Sequence, residues 1–264
     1  MSARGLEAAG ASRAAGGGHL GVVRRTANRV YGWRWSVLPP LVGASMFAMI
    51  VGALLAAPRE AVEGDVQRLF YIHVPSAIAA YGAFFVVFVA SILVLWKRDM
   101  RWDAVARSAA GVGVLFTGIT LATGAIWGRP IWGVYWTWDA RLTSTLILFL
   151  LYGGYLLARS VAEPSDEQAA RFGAVFAIIA FADIPIIQMS VRWWRTLHPQ
   201  PIVFDPTPSL PAEMLLVLGI GFVAIVLLAA WLLVLRAEAE SLTLRARELR
   251  ARLDRREELR MRRR

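Results

Sequence analysis

Trp127-Gly128-Arg129-Pro130-Ile131-Trp132-Gly133-Val134-Tyr135-Trp136-Thr137-Trp138-Asp139-Ala140-Arg141 lies between two long apolar runs. It is too polar to cross a bilayer, and its aromatics belong at the edge of one, where an indole ring stays dry and its N–H stays wet. Four of the 11 Trp in the chain, and one Tyr, fall within twelve residues here. An ordinary aromatic belt accounts for one or two such rings. The excess leaves a second reading open, a flat surface for a large planar apolar ligand. With Pro130 in the first turn of a short interfacial helix, Trp132, Tyr135, Trp136 and Asp139 fall at i, i+3, i+4 and i+7 and share one face.

The flanking runs set the fold class. The 264 residues are 57% hydrophobic, and apolar segments near 37–57, 74–96, 105–127, 142–158, 172–191 and 212–235 approach the length that crosses the hydrocarbon core. The expectation is an all-α, polytopic membrane protein with six transmembrane helices. The Trp-rich stretch becomes the interfacial loop between helices 3 and 4. Small residues at four-residue spacing, Ala44, Ala48 and Gly52 in the first span and Ala106 and Ala110 in the third, read as helix-packing faces.

Lys and Arg outside the spans number 22 in the arm, loops two and four and the tail, against 6 in loops one, three and five. The positive-inside rule then puts both termini in the cytoplasm and the Trp-rich loop outside. Three regions follow: a disordered basic arm over 1–36 without a cleavable signal, a six-helix domain over 37–235, and an Arg-rich helical tail over 236–264. In the tail, Glu248–Arg252 and Glu258–Arg262 stand at i, i+4, and Leu242, Leu249 and Leu253 form a narrow apolar seam. The net charge of +10 is concentrated at the two ends, which suits anionic lipid or a cytoplasmic partner rather than nucleic acid.

With no Cys, disulfides, thiolate metal sites, dithiol redox chemistry and Cys-x-x-Cys-His haem attachment are excluded. No phosphate-binding loop, catalytic triad or carboxylate pair is visible, so the chain reads as a binding or delivery protein without an engine of its own. Of the three His, His19 sits in the arm and carries no assignment. His73 opens the second span and His198 follows the fifth, both on the side of the Trp-rich loop. Two imidazoles beside an aromatic platform suit haem iron, and haem is a planar apolar ligand whose propionates need cations. Arg129, Arg141, Arg192 and Arg195 are the candidates for those. Zinc lacks enough ligands. Asp183, inside the fifth span beside Pro185, is either functional or a neutral structural group and stays outside the site.

These residues resemble a known family. Trp127-Gly128-x-Pro130-x-Trp132-Gly133-x-x-Trp136-x-Trp138-Asp139 resembles the tryptophan-rich WWD signature of haem-handling membrane proteins. With Tyr71-Ile72-His73-Val74-Pro75-Ser76 and Ser190-Val191-x-Trp193-Trp194-x-Thr196-Leu197-His198, it is similar to the haem exporter protein C family of cytochrome c maturation over about residues 33–236. Tyr135 stands where the family often has Trp, and Pro199 follows His198 where Gln is usual.

The resemblance implies a multi-pass protein of the bacterial cytoplasmic membrane with its haem site facing the periplasm. Haem b would be held non-covalently by His73 and His198 as axial or as alternating ligands, against a platform of Trp127, Trp132, Tyr135, Trp136, Trp138 and Asp139. It also implies partners: a periplasmic haem chaperone, ATP-binding cassette transporter subunits and a small membrane subunit. Two rivals remain, a permease or scaffold that docks an ATPase, and a transmembrane haem oxidoreductase. The latter needs His pairs within the spans, which the sequence lacks.

Overall fold

A computed structural model describes residues 32, 35–163, 166–198 and 210–262. Most of the arm expected over 1–36, with His19, lies outside the described residues, as does Pro199. The described residues are helical without a β-sheet, and six runs are long and apolar enough to cross a membrane. The chain is a multi-pass membrane protein of the all-α class. It divides after Ala44 into two units, and the second, Ser45–Arg264, contains everything described below except the start of the first helix.

Helix α1 spans Trp35–Ala56 and closes with a π turn over Gly52–Ala56. A 3-10 turn, Asp65–Leu69, leads into α2, Phe70–Lys97. Helix α3, Met100–Trp132, starts at Asp99, whose carboxylate accepts the Arg101 N–H at 2.9 Å. Helix α4, Ala140–Val161, is capped by Asp139. The fifth span is two helices, α5 over Glu167–Phe181 and α6 over Asp183–Trp193. Pro185 has no N–H for the Phe181 carbonyl, and the helix breaks at Ala182 between them. Helix α7 runs unbroken over Ala212–Met261, so the tail does continue the sixth span.

Without water to expel, helices in a bilayer associate by close packing, which favours small residues at the contacts. Phe84 of α2 shows the principle. Its ring lies against Gly113 of α3, in space that a Cβ there would need. The other face of the ring stacks on Tyr152 of α4 at 3.9 Å between centroids, and the Tyr152 hydroxyl donates to the Ala177 carbonyl of α5 at 3.0 Å. Four helices meet through one chain of contacts.

Ala106 and Ala110 are buried as their spacing implied, whereas Ala48 is exposed. In the second unit, α1 buries Gly52 as its spacing implied, together with Met49 and Ala53, at i, i+3, i+4. At Gly221 the α7 backbone approaches the Tyr71 carbonyl so closely that a Cβ would sit 2.7 Å from its oxygen. That carbonyl is the one Pro75 leaves without its helical N–H. Arg159, counted above with loop four, lies in the last turn of α4 and is 3% exposed.

Candidate functional site

One end of the bundle encloses a cavity of about 840 Å³, within the range of small-molecule sites. Its wall is largely apolar, with Val74, Ile78, Leu121, Ile131, Leu142 and Met214 among the lining residues. Into it come His73 and Tyr81 from α2, Thr120 and Trp127 from α3, Arg141 from α4, Gln188 from α6, and His198 from the segment after α6.

His73 rests on one turn of α3. Its Nδ1 is 3.0 Å from Thr123 Oγ1. The Thr123 hydroxyl has a single proton, which its own helix takes, the Ile119 carbonyl at 2.7 Å and the Thr120 carbonyl at 3.2 Å. The oxygen therefore accepts from His73, Nδ1 carries the hydrogen, and Nε2 keeps its lone pair, the form in which a neutral imidazole binds a metal. Gly124 makes room for the ring, since a Cβ there would press within 3.0 Å of His73 Cε1. Trp127 closes the turn edge-on to the imidazole at 5.7 Å.

His198 is held differently. Its Nδ1 lies 3.5 Å from Arg141 Nη1, and a guanidinium only donates, so this nitrogen offers a lone pair. Arg141 also donates to Gln188 Oε1 at 3.3 Å. His73, His198 and Arg141 are close enough to interact electrostatically.

The Trp-rich stretch departs from the helical face expected of it. Helix α3 does not restart at Pro130. It continues through Trp132 and ends at Gly133, whose φ of 76° is a left-handed cap and whose N–H bonds the Arg129 carbonyl at 3.0 Å. Proline is tolerated there because only the Ile126 carbonyl loses a partner. No helix follows before α4, so Trp132, Tyr135, Trp136 and Asp139 do not share one helical face.

Trp132 folds back over Gly128, where a Cβ would be 2.8 Å from the indole. Both Trp132 and Trp136 line the cavity, and Trp136 Nε1 is buried without a hydrogen-bond acceptor. Tyr135 and Trp138 are 61% and 77% exposed and take no part in the wall. Arg129 stacks over Tyr135 at 5.5 Å and donates to the Gly133 carbonyl. Arg192 and Arg195 are exposed. None of these three arginines lines the cavity; Arg141 alone of the four candidates does.

Asp139 is outside the wall but joins its parts. One carboxylate oxygen accepts the Leu142 N–H at 2.9 Å and caps α4. The other accepts the Thr196 hydroxyl at 2.8 Å, and Thr196 Oγ1 in turn accepts the His198 N–H at 3.1 Å. The signature Asp thus fixes where the His198 segment lies.

Sequence reasoning missed the residues between α1 and α2. Trp127 Nε1 donates to Glu63 Oε2 at 3.1 Å. Burial pushes the Glu63 carboxyl above its usual range, the Trp127 hydrogen bond opposes this, and the Glu60 charge adds to it. Glu60 is held below the usual range by the N–H groups of Glu63 and Val62, which its carboxylate accepts as it closes a turn. No pattern in the sequence pairs Glu63 with a residue 64 positions away. Among the described residues no group of three or more His, Cys, Asp or Glu gathers, and the cavity wall holds two imidazoles, His73 and His198.

Known proteins match this chain over most of its length. A family model described as Heme exporter protein C matches residues 23–252. Heme exporter protein C of Bradyrhizobium diazoefficiens is 39% identical over 217 residues, 81% of this chain and 82% of that protein. Its Escherichia coli namesake is 38% identical over 174 residues, 64% of this chain and 69% of that protein. A ccmC-like mitochondrial protein of cytochrome c biosynthesis from Marchantia polymorpha is 36% identical over 179 residues, 67% and 75% of the two chains. With the six spans and the signature segment around one cavity, these matches show that the chain belongs to the haem exporter protein C family.

Proposed function

We propose that this chain binds haem b non-covalently in the cavity and presents it at the outer face of a bacterial cytoplasmic membrane to a haem chaperone that supplies apocytochrome c. The observation that carries the reading is the meeting of His73, His198 and Arg141 in one largely apolar cavity. Haem is the cargo, and the residues fit it. The apolar wall suits the macrocycle, and the two imidazoles suit the iron. Arg141 and the unpartnered Trp136 N–H suit the carboxylates.

The two histidines have different parts. His73 is the standing ligand, its Nε2 presented by the Thr123 hydrogen bond. His198 is the exchangeable one, because binding through its Nε2 requires Nδ1 to take a proton and give up Arg141. A ligand that lets go without unfolding the site suits handover. The family's roles extend the reading to ATP-binding cassette subunits and a small membrane subunit as partners. The excess of Lys and Arg in the arm, loops two and four and the tail supports placing the cavity on the periplasmic side. Delivery needs no covalent step from this chain, which the absence of Cys accords with.

The test is haem titration of the purified full chain. The parent protein is expected to give a Soret band at one haem per chain, extractable with acidified solvent. His73→Ala/His198→Ala is expected to abolish saturable binding. Unchanged haem content in the double variant would sink the proposal.

A further inference from the structure

A second pocket, of about 260 Å³, opens between α3, α4 and α7 and is lined by Arg107, Arg159, Arg236 and Glu240 among others. It is at the other end of the same helices. Arg107 precedes Thr120 by about 20 Å along α3, and Arg159 follows Arg141 by about 27 Å along α4. It is therefore separate from the haem cavity.

Its charges do not balance. Asp103, 2% exposed, accepts Arg159 Nη2 at 2.8 Å, Arg159 Nε at 3.2 Å and Arg107 Nε at 3.0 Å. Glu240 pairs with Arg107. Neither carboxylate is paired with Arg236, so three guanidiniums face two acids. Arg159 Nη1 is buried with no acceptor. Arg236 is drawn across α3 rather than outward, and its Nη1 takes the space that the Cβ of any residue replacing Gly111 would need. Leu156 completes the wall, and Leu157 and Val161, 68% and 81% exposed, continue the apolar surface beside it. An anionic group with a hydrocarbon chain attached fits such a place, and basic pockets between transmembrane helices do hold lipid headgroups.

We propose that this pocket binds a phosphate group, that of an anionic phospholipid, with Arg236 and Arg159 as donors and Leu156, Leu157 and Val161 against the acyl chains. Guanidinium forks match phosphate oxygens, and an acceptor here would satisfy Arg159 Nη1. The proposal is independent of what the haem cavity binds.

Native mass spectrometry of the delipidated full chain tests it, with phosphatidylglycerol, phosphatidylcholine and inorganic phosphate as probes. Arg236 touches neither the haem cavity nor the buried Asp103–Arg159 pair, so Arg236→Ala and Arg236→Lys should fold and keep their Soret band. The parent is expected to retain one phosphatidylglycerol per chain in preference to phosphatidylcholine. Arg236→Ala should lower that retention roughly fivefold, as for loss of one basic side chain at a lipid surface, and Arg236→Lys less. Displacement of the lipid by inorganic phosphate would support the site as one for phosphate from either source. Equal retention by parent and Arg236→Ala, or no preference for phosphatidylglycerol together with no effect of phosphate, would overturn it.

Discussion

Thr123→Val keeps the volume beside His73 and removes the oxygen that receives its Nδ1 proton. Groups that orient a metal-binding imidazole are worth roughly tenfold to a hundredfold in affinity. A loss of that size in haem titration is the expected result, with Thr123→Ser close to the parent. Parent-like affinity in the Val variant would remove the tautomer argument. Glu63 offers a pH-dependent counterpart. Burial raises its carboxyl above the ordinary value of 4.5, so the folded chain holds that proton more tightly than the unfolded one. The stability this contributes is full below the unfolded value and is lost as pH rises through the folded one. Glu63→Gln keeps an acceptor for Trp127 and should flatten the fall in melting temperature above pH 4.5. Parallel melting curves for parent and variant would show that Glu63 does not titrate in this way.

At the scale of elements, α4 and the His198 segment are joined through the Asp139 carboxylate, and the two bonds can be separated. Asp139→Ala loses the cap and the Thr196 bond together, and should cost about 1 kcal/mol of stability besides weakening haem retention. Thr196→Val keeps the cap and loses the Asp139 bond together with the acceptor of the His198 N–H, so its melting temperature should stay near the parent's while haem retention falls. Equal loss of stability in the two variants would show that Thr196 is structural. How much of this was legible differs by element. The six spans were readable from apolar runs, because a bilayer demands length and hydrophobicity that nothing else in the chain imitates. The end of α3 was not. Pro130 is favoured at the start of a helix and is equally tolerated where a helix is ending, so Gly133 was the better marker. The sequence put His73, Trp127, Trp132, Trp136, Arg141 and His198 forward, and all six line one cavity. Thr123, Gly124 and Glu63 went unread because their roles depend on contacts across 50 or more positions.

Across the whole molecule, the buried Asp103–Arg159 pair locks α3 to α4 far from the cavity. Arg159→Met leaves the buried Asp103 with Arg107 as its partner and should cost about 1–3 kcal/mol, and Asp103→Leu/Arg159→Met should recover part of it. Unfolding in mixed detergent micelles would show this, and a double variant as unstable as the single one would point to the Arg107 contact instead. Helix α7 reaches both ends of the bundle. It nearly touches the Tyr71 carbonyl at Gly221, seven residues from Met214 in the cavity wall and forty from Met261. At about 1.5 Å per residue, the arms on either side of that point measure roughly 10 Å and 60 Å. Along the longer of those arms Ala224 and Ile225 lie in the core and Glu240 pairs with Arg107 of α3, so the helix is one rod seated along the bundle from the cavity wall to the basic tail. We expect an antibody fragment gripping the tail to change the haem off-rate. The change should vanish when Gly-Gly is inserted after Glu238, and an equal effect in both chains would show that the rod bends instead.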